Sequence, residues 1–347
     1  MKIYDLRSDT VTLPDPNMRK AMYEAEVGDD VYHEDPSVNR LQDMAAEITG
    51  TEAALFVTSG SMGNLIPLYV NAGRGTEVLA ASQSHIIQHE VGAISAIAGT
   101  MPIGISVPRG ILTVDAIKDA VKPLSYDLAR TAMLEIENTI GGYPYDLENV
   151  TALAAFAHKK NMTVHMDGAR IFNAATATGM SVSAYVHGVD TMTFCLSKGL
   201  GAPVGSLLCG SLPFIEAAMR VRKILGGGMR QSGILAAAGI YALEHNVKRL
   251  SQDHEHATVL AQTLHASGWA NVDMEGVKTN IIFFTVPGMS EEDAVSWLAE
   301  AGIRVGIDGG KIRLVTNLNI TDDDVQDIIV KLERMAPPCK QTSGEKR

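Results

Sequence analysis

A lysine that follows a short apolar run is the first residue whose position suggests chemistry. Lys198 comes soon after the run TMTFCL, and small residues (GLGAPVG) follow it. At the end of a buried strand its amine would be partly desolvated, which suits Schiff-base formation. The alternative is an ordinary solvated loop lysine. The spacing GxGxxxG, with Pro203 inside it, does not match a dinucleotide-binding loop.

An acidic and a basic residue follow another apolar run, TVHM. Asp167 and Arg170 both lie in HMDGAR. A buried carboxylate beside a pyridine nitrogen keeps that nitrogen protonated and makes the ring a stronger electron sink. Arg170 could bind a ring oxygen or a carboxylate. Asp167 could instead only cap the helix that comes after it.

A segment rich in serine and glycine, TSGSMGN, lies between the run ALFV and a predicted helix. Ser59, Gly60 and Ser61, which we call the cradle, fall where a helix N-terminus offers N–H groups to an anion. A plain N-cap would explain one serine, but two serines and two glycines within five residues favour phosphate. The segment lacks the Gly-Lys-Ser/Thr ending of a nucleotide P-loop. The lysine, the aspartate and the cradle therefore suit pyridoxal 5′-phosphate better than a nucleotide.

The elements that must position these residues alternate between about residue 50 and residue 210. Short apolar runs without polar alternation indicate strands buried on both faces of an α/β sheet: ALFVTS, EVLAAS, AMLEIEN, TVHMDGA, TMTFCLS and GSLLCG. Amphipathic patterns between them predict helices: NLIPLYVNAG, LTVDAIKDAVKPL and LENVTALAAFAHKKN. Ligands of such sheets bind outside the carboxyl ends of the strands, where Asp167 and Lys198 would lie.

The pattern changes after about residue 245, where helices with acidic first turns alternate with short strands. We expect a large cofactor-binding domain with an N-terminal arm over residues 1–245. A small C-terminal α+β domain would cover residues 246–336, and residues 337–347 would form a polar tail.

Composition limits the classes of partner. The 347 residues include 29 Lys and Arg against 40 Asp and Glu, a net charge of −11, which argues against nucleic acid. Charges at the N-terminus and the lack of an apolar run of about 20 residues argue against a signal peptide and a membrane span. Cys195, Cys209 and Cys339 form neither a disulfide framework nor a zinc pattern. We therefore expect a cytoplasmic protein.

Motifs along nearly the whole chain, from Asp5 to about Met335, resemble one family. They are LRSDTVT, EVGDDVY, EDP, EAALFVTSGSMGN, SHI..HEVGA, IENT, HMDGARIFNA, CLSKGLGAPVGS, GGGMRQ.G.LAAAG and RLVT. Their combination is similar to that of the low-specificity L-threonine aldolases. The resemblance implies a fold-type-I, transferase-like α/β architecture with a mainly parallel sheet and pyridoxal 5′-phosphate as cofactor. It also implies a homotetramer, a dimer of dimers, whose active sites are shared between subunits.

The resemblance assigns cofactor-binding roles to Ser59, Gly60, Ser61, His85, Asp167, Arg170, Lys198 and Arg230. Lys198 would hold the cofactor covalently, and Asp167 would pair with the ring nitrogen. His85 would stack on the ring and act in proton transfer. Arg230 would reach a phosphate, across the dimer, with help from Lys223.

Substrate-binding roles fall by the same resemblance on Ser8, Tyr32, Arg170 and Arg313. Ser8 and Arg313 would hold the substrate carboxylate, and Tyr32 would approach from the partner chain. The implied reaction is retro-aldol cleavage of L-threonine or L-allo-threonine to glycine and an aldehyde.

The sequence departs from the family on the substrate side. The family continues ENT with a histidine near the substrate hydroxyl, whereas here Thr139 runs directly into Ile140-Gly141-Gly142. Asn317 replaces the histidine of RLVTH, His33 replaces the glycine of GEDP, and His89 stands where tyrosine is common. A β-eliminating lyase or an amino-acid racemase on the same scaffold is therefore the alternative activity. His33 or His89 could take over the role of the missing histidine.

Two other functional classes make different demands on the sequence. A noncatalytic binding protein would need no reactive lysine. A nicotinamide oxidoreductase would need a GxGxxG turn with an acidic residue about 20 positions later, and the sequence has none. HExxH and CxxC are absent as well, so we expect no metal site. The run Asp253–His256 is expected on a solvated helix face.

Overall fold

The computed structural model describes residues 2–336, so the expected tail 337–347 and Cys339 lie outside the described residues. The described residues form two compact units, one of Thr12–Leu250 and one that joins residues 2–11 with residues 251–336. The N-terminal strand (Tyr4–Asp5) pairs with Ile303–Arg304, which explains this grouping. The division into domains at residue 245 stays a prediction. Within residues 2–336 no helix combines the length and hydropathy that crossing a bilayer requires.

The strands of residues 2–336, in chain order, are β1 Tyr4–Asp5, β2 Ala53–Val57, β3 Glu77–Ala81, β4 Met101–Ile105, β5 Thr131–Glu137, β6 Thr163–Asp167, β7 Thr191–Cys195, β8 Ser206–Gly210, β9 Asn271–Val272, β10 Ile281–Thr285, β11 Ile303–Arg304, β12 Gly306–Asp308 and β13 Lys311–Val315.

The α-helices of the same residues are α1 Pro16–Tyr23, α2 Pro36–Thr49, α3 Gly60–Pro67, α4 His85–Gln88, α5 Ala93–Ala96, α6 Val114–Ile117, α7 Leu147–Lys159, α8 Ile171–Thr178, α9 Val182–Val186, α10 Leu212–Ile224, α11 Gly233–Tyr241, α12 Leu250–Ala266, α13 Glu291–Glu300 and α14 Asp322–Arg334. Short 3₁₀ turns occur at Asp9–Val11, Asp30–Tyr32, Pro108–Gly110 and Met274–Gly276, and π-helical turns at Leu68–Ala72 and Ala242–Asn246.

The larger unit is built on a seven-stranded sheet of order β2-β8-β7-β6-β5-β3-β4. Strands β3 to β7 run parallel, and β8 is antiparallel to both its neighbours. The predicted α/β class with a mainly parallel sheet is therefore confirmed. The carboxyl ends of β5, β6 and β7 lie side by side at one edge, where the sequence places Glu137, Asp167 and the segment leading to Lys198.

The central strands present two chemically different faces. Leu134, Ile136, Met166, Met192 and Phe194 point into the main apolar core. The alternate positions form the polar face, which consists of Glu135, Glu137, His165, Asp167, Thr191 and Thr193. The sequence predicts strands that are buried on both faces. Both faces are buried in the central strands, but one of them is polar.

Two predictions of local structure were wrong. The pattern LTVDAIKDAVKPL forms only the single turn α6 rather than a long helix. Strand β4 was missed because its sequence MPIGI contains Pro102 and Gly104 and lies at the exposed edge of the sheet.

The smaller unit contains an antiparallel sheet of order β12-β13-β10-β9 with its own apolar core. Helix α14 starts with a capping box between Thr321 and Asp324. The expectation that Asp253–His256 lies on a solvated face was wrong, because Asp253 and His256 are buried. His256 Nε2 lies 2.7 Å from Asp322 Oδ1.

A buried ion pair connects the segment before α2 with α10. Arg222 Nη2 donates to Asp30 Oδ2 at 2.8 Å, and Nη1 donates to the carbonyl of Phe56 at 2.8 Å. Both charged side chains are almost fully buried. Loss of either partner leaves an uncompensated buried charge, which costs much more than loss of an exposed pair.

We expect Asp30→Ala to lower the free energy of unfolding by about 3–5 kcal/mol, because it leaves the Arg222 guanidinium buried without its carboxylate. The double variant Asp30→Leu/Arg222→Met should recover much of that loss. Urea unfolding at fixed protein concentration measures both. Asp115→Asn, which breaks an exposed pair with Lys118, serves as the control. A single variant as stable as the control would contradict the prediction.

Candidate active site

Lys198 lies in the connection between β7 and β8, three residues beyond the end of β7. The residue is half-buried, and its carbonyl accepts a hydrogen bond from the Gly201 N–H at 2.9 Å. The Thr12 hydroxyl also donates to this carbonyl, at 3.4 Å. The backbone that carries the lysine is thus fixed, while its side chain remains at the carboxyl edge of the sheet.

Asp167 is the last residue of β6 and is buried. Its Oδ1 accepts from the Ala169 N–H at 2.9 Å, and its Oδ2 accepts from Asn64 Nδ2 at 2.6 Å. The next helix, α8, has Arg170 at its N-cap position, so Asp167 does not cap it. The alternative interpretation of Asp167 as a simple helix cap is therefore excluded. Arg170 is half-buried at the same strand end.

The cradle lies at the N-terminus of α3, where Ser59 is the N-cap and accepts from the Met62 N–H at 3.2 Å. The first turn of a helix leaves N–H groups free for an anion. A Cβ on Gly60 would come within 2.8 Å of Cys195 Sγ, so α3 starts in close contact with the end of β7. The cradle and the Lys198 connection therefore begin at neighbouring points of the sheet edge.

His85 starts α4 and is held from two sides. Its backbone N–H donates to Glu137 Oε2 at 2.7 Å, and its Nδ1 lies 2.9 Å from Glu90 Oε1. The hydrogen bond to Glu90 raises the pKa of His85, against an opposing effect of burial. The ring of His89 lies 5.4 Å from that of His85, centroid to centroid. The Nε2 atom of His85 is the ring nitrogen not engaged by Glu90.

Three carboxyl groups crowd this edge of the sheet. Oxygens of Glu135, Glu137 and Asp167 lie within 4.8 Å of one another. Burial and the neighbouring carboxylates Glu137 and Asp167 raise the pKa of Glu135 well above its usual range, against a smaller opposing effect of the Ser84 hydroxyl. Burial and the charge of Asp167 raise the pKa of Glu137 to about 7. Such a cluster favours a cation at its open side.

The arrangement fits pyridoxal 5′-phosphate. A protonated ring nitrogen against Asp167 would supply the positive charge that the buried carboxyl groups favour. The cradle offers N–H groups for the phosphate, and Lys198 follows the neighbouring strand. These residues would therefore hold the cofactor between the cradle and the ends of β6 and β7.

Three residues that the resemblance assigns to phosphate or substrate lie on the surface. Arg230 is exposed and donates to Asp29 Oδ2 at 3.0 Å, and Lys223 and Tyr32 are exposed as well. Their roles toward phosphate and substrate stay predictions.

Ser8 and Arg313 belong to the smaller unit. The Ser8 hydroxyl accepts from the Thr10 N–H at 3.2 Å, and Arg313 Nη1 donates to Asp308 Oδ2 at 2.8 Å. Their assignment to the substrate carboxylate stays a prediction.

Two departures from the family pattern have a structural explanation. His33 ends the 3₁₀ turn Asp30–Tyr32 with φ 59° and ψ 29°, a left-handed conformation that glycine adopts without strain. Asn317 is fully buried in the smaller unit and donates to the carbonyl of Asp5 at 3.1 Å. His33 is exposed, while His89 lies beside His85, and replacement of the missing histidine by either one stays a hypothesis.

Sequence reasoning missed three buried residues next to this site: Asn64, Glu90 and His165. The one available signal was their place inside the motifs TSGSMGN, SHIIQHE and HMDGAR. His165 precedes Asp167 by two residues on β6 and therefore shares its face.

Comparison with known proteins agrees with this geometry. Residues 5–287 match the family model described as beta-eliminating lyase. The low-specificity L-threonine aldolase of Escherichia coli K12 is 42% identical over 328 residues, which cover 93% of this chain and 96% of that protein. Low-specificity L-threonine aldolase 1 of Arabidopsis thaliana is 41% identical over 336 residues, 94% of each chain.

Solved structures share the fold at low sequence identity. A threonine aldolase of Leishmania major aligns with a TM-score of 0.82 at 20% identity, over 95% of this chain and 99% of the other. A serine palmitoyltransferase of Sphingomonas wittichii aligns with a TM-score of 0.74 at 17% identity, over 96% and 86%. The predicted fold-type-I architecture is confirmed.

The raised pKa of Glu137 predicts a pH-dependent stability of the cofactor-free protein. The folded state keeps this proton up to about pH 7, whereas the unfolded state loses it near pH 4.5, so stability falls as the pH rises between these values. Glu137→Gln mimics the protonated form. We expect its effect on the stability of the cofactor-free protein to be more favourable at pH 8.5 than at pH 6, by about 1–2 kcal/mol.

Thermal unfolding at the two pH values measures the difference. Glu216→Gln, an exposed glutamate of α10, is the control and should act equally at both. An equal effect of Glu137→Gln at pH 6 and pH 8.5 would show that Glu137 is ionised throughout.

Proposed function

The chain belongs to the beta-eliminating lyase family, in the branch of the low-specificity L-threonine aldolases, and we propose that it cleaves L-threonine or L-allo-threonine to glycine and acetaldehyde. The activity is that of a pyridoxal-phosphate-dependent aldehyde-lyase, which breaks a carbon–carbon bond. The family relation favours this reaction over β-elimination or racemisation on the same scaffold.

One observation carries the proposal. Asp167 ends β6, Lys198 follows the adjacent strand β7, and α3 starts in contact with the end of β7. Three groups that pyridoxal phosphate requires are thereby brought to one edge of the sheet: a carboxylate, an amine and an anion cradle. An arrangement built only for stability would not bury a cluster of carboxyl groups there.

Pyridoxal phosphate, when bound, accepts the electron pair that the amino acid releases as its Cα–Cβ bond breaks. Asp167 would hold a proton on the ring nitrogen and so maintain the electron-withdrawing form. Lys198 would hold the cofactor before substrate arrives and release it to the incoming amine. The cradle would fix the phosphate, so that the ring keeps one orientation through the reaction.

His85 is the group we propose for proton transfer. Its Nδ1 is engaged by Glu90, which leaves Nε2 to take or return a proton at the substrate. Ser8 and Arg313 would bind the substrate carboxylate, and Arg170 would contact the ring oxygen or that carboxylate. A fixed carboxylate turns the Cα–Cβ bond out of the ring plane, where its electrons overlap the ring system.

We propose in addition a homotetramer with active sites shared between subunits, in which Tyr32 and Arg230 serve a neighbouring site. Their exposure supports this proposal, as do the exposed apolar side chains of Tyr23 and Ile224. A cytoplasmic location is also proposed, because Cys195 and Cys209 are free thiols, as reducing compartments allow.

The decisive test is product analysis with L-threonine, L-allo-threonine, L-phenylserine, L-serine and L-alanine. We expect equimolar glycine and acetaldehyde from L-threonine or L-allo-threonine. Lys198→Ala should lose at least 1,000-fold in kcat, together with the absorbance of the lysine-bound cofactor. Pyruvate or D-alanine as the product would instead establish the lyase or the racemase alternative.

Arg313→Ala should raise KM for L-threonine at least tenfold, because a charge-assisted hydrogen bond to the substrate carboxylate is lost. Arg334→Ala, which removes an exposed arginine at the end of α14, is the matched control and should leave KM unchanged. Steady-state kinetics on both variants measure the effect. An unchanged KM in Arg313→Ala would remove this arginine from the substrate site.

A further inference from the structure

Asn64 is a buried asparagine of α3 that uses its whole amide group in the active site. It is 1% exposed. Its Nδ2 donates to Asp167 Oδ2 at 2.6 Å and to Glu90 Oε1 at 3.0 Å, and its Oδ1 lies 3.2 Å from His165 Nε2. An asparagine amide has two donor hydrogens and one acceptor oxygen. Both hydrogens therefore go to carboxylates on two different segments of the chain.

His165 is the partner of the amide oxygen. When its ring donates from Nε2 to Asn64 Oδ1, its Nδ1 accepts from the Thr191 hydroxyl, 3.0 Å away, and also lies 3.2 Å from the Thr191 carbonyl. Burial lowers the pKa of His165 to about 4, which keeps the ring neutral and leaves it one hydrogen to donate. A flipped Asn64 amide would point its oxygen at two carboxylates and its NH₂ group at the histidine N–H.

The same contacts join the two sides of the proposed cofactor site. Glu90 Oε1 is shared by Asn64 and by His85 Nδ1, at 3.0 Å and 2.9 Å. Groups of His85, Glu90 and Asp167 lie within 4.8 Å of one another. Without a donor between them, two buried carboxylates at this separation would repel each other.

Titratable groups face this network from the neighbouring segments. Strand β5 contributes Glu135 and Glu137, and β6 contributes His165 and Asp167. Lys198 acts on both His85 and Glu137 through its positive charge. The amide of Asn64 is neutral, so it can satisfy two carboxylates without changing the charge of the site.

We propose that Asn64 is a positioning residue, which with His165 behind it holds Asp167 for the ring nitrogen and Glu90 for His85 as one hydrogen-bonded unit. The inference rests on the proposed function, because it takes Asp167 to face a cofactor ring. Asn64 acts through these two carboxylates and not by contact with the reacting atoms. Loss of the amide should therefore weaken the interaction of Asp167 with a protonated ring nitrogen.

The test compares two ligands on the purified, cofactor-depleted protein: pyridoxal 5′-phosphate and its analogue with C–H in place of the ring nitrogen. We expect Asn64→Leu to weaken binding of pyridoxal 5′-phosphate at least tenfold and binding of the analogue less than twofold. A merely structural role would weaken both equally. Fluorescence or absorbance titration gives the two dissociation constants.

A second readout is the pH at which the absorbance of the lysine-bound cofactor changes. We expect this midpoint to move upward by about half a pH unit or more in Asn64→Leu, because an unprotonated ring withdraws less charge from the lysine nitrogen. Asn149→Leu is the control. Asn149 lies on α7, whose apolar side packs in the main core, and it donates one hydrogen bond to the carbonyl of Leu112. The Asn149→Leu variant should leave both the ligand selectivity and the absorbance midpoint unchanged.

If Asn64→Leu does not fold, His165→Leu takes its place and should give the same ligand selectivity, since it releases the amide orientation. Equal losses for both ligands, or no loss for either, would overturn the proposed role of Asn64. A wild-type protein that binds no pyridoxal 5′-phosphate would instead overturn the proposed function. The two failures are therefore distinguishable.

Discussion

The burial of several carboxyl groups on one face of a parallel sheet is the constraint on which the rest of the site depends. Strands of this kind normally bury apolar side chains on both faces. Here Glu135, Glu137 and Asp167 share the polar face, so each must be neutralised, hydrogen-bonded or matched by a cation. Raised pKa values favour the neutral form of the first two, and hydrogen-bond donors hold the third. Burial of carboxyl groups is unfavourable, and proteins retain it where these groups take part in the chemistry of a site.

The architecture was predictable to a large extent because continuous apolar runs identify buried strands wherever they lie in the sheet. The edge strand β4 escaped this criterion, since an exposed edge tolerates Pro102 and Gly104. Asp167 and Lys198 were found because a strand end is a local signal. The partners of Asp167 were not, since Asn64 lies 103 residues away in the sequence, and no local pattern specifies a contact at that separation.

The departures from the family pattern also show what a motif alone can tell. From the motif alone, a histidine in place of a glycine suggests a new polar group for the site. In the structure, His33 occupies a left-handed turn on the surface. Asn317 reads as a lost histidine on the substrate side, yet its amide donates to the backbone of β1. Asp253–His256 reads as a solvated run, but two of its members are buried in the smaller unit. Burial and backbone conformation, which the motif does not contain, are what the structure adds at all three positions.

The antiparallel direction of β8 has a consequence for the lysine that we propose to hold the cofactor. Parallel neighbours need a long crossover, but β7 and β8 are joined directly, with Cys195 paired to Ser206 and the Leu196 N–H bonded to the Gly205 carbonyl. Lys198 therefore lies on a loop that is anchored at both ends to two adjacent inner strands of the sheet. In the proposed role, the lysine would form and break its covalent bond to the cofactor through movement of its own flexible side chain alone. The backbone position of Lys198 is fixed by the β7–β8 connection. Insertions in the helical crossovers between other strands would therefore leave the distance that its amine can span unchanged.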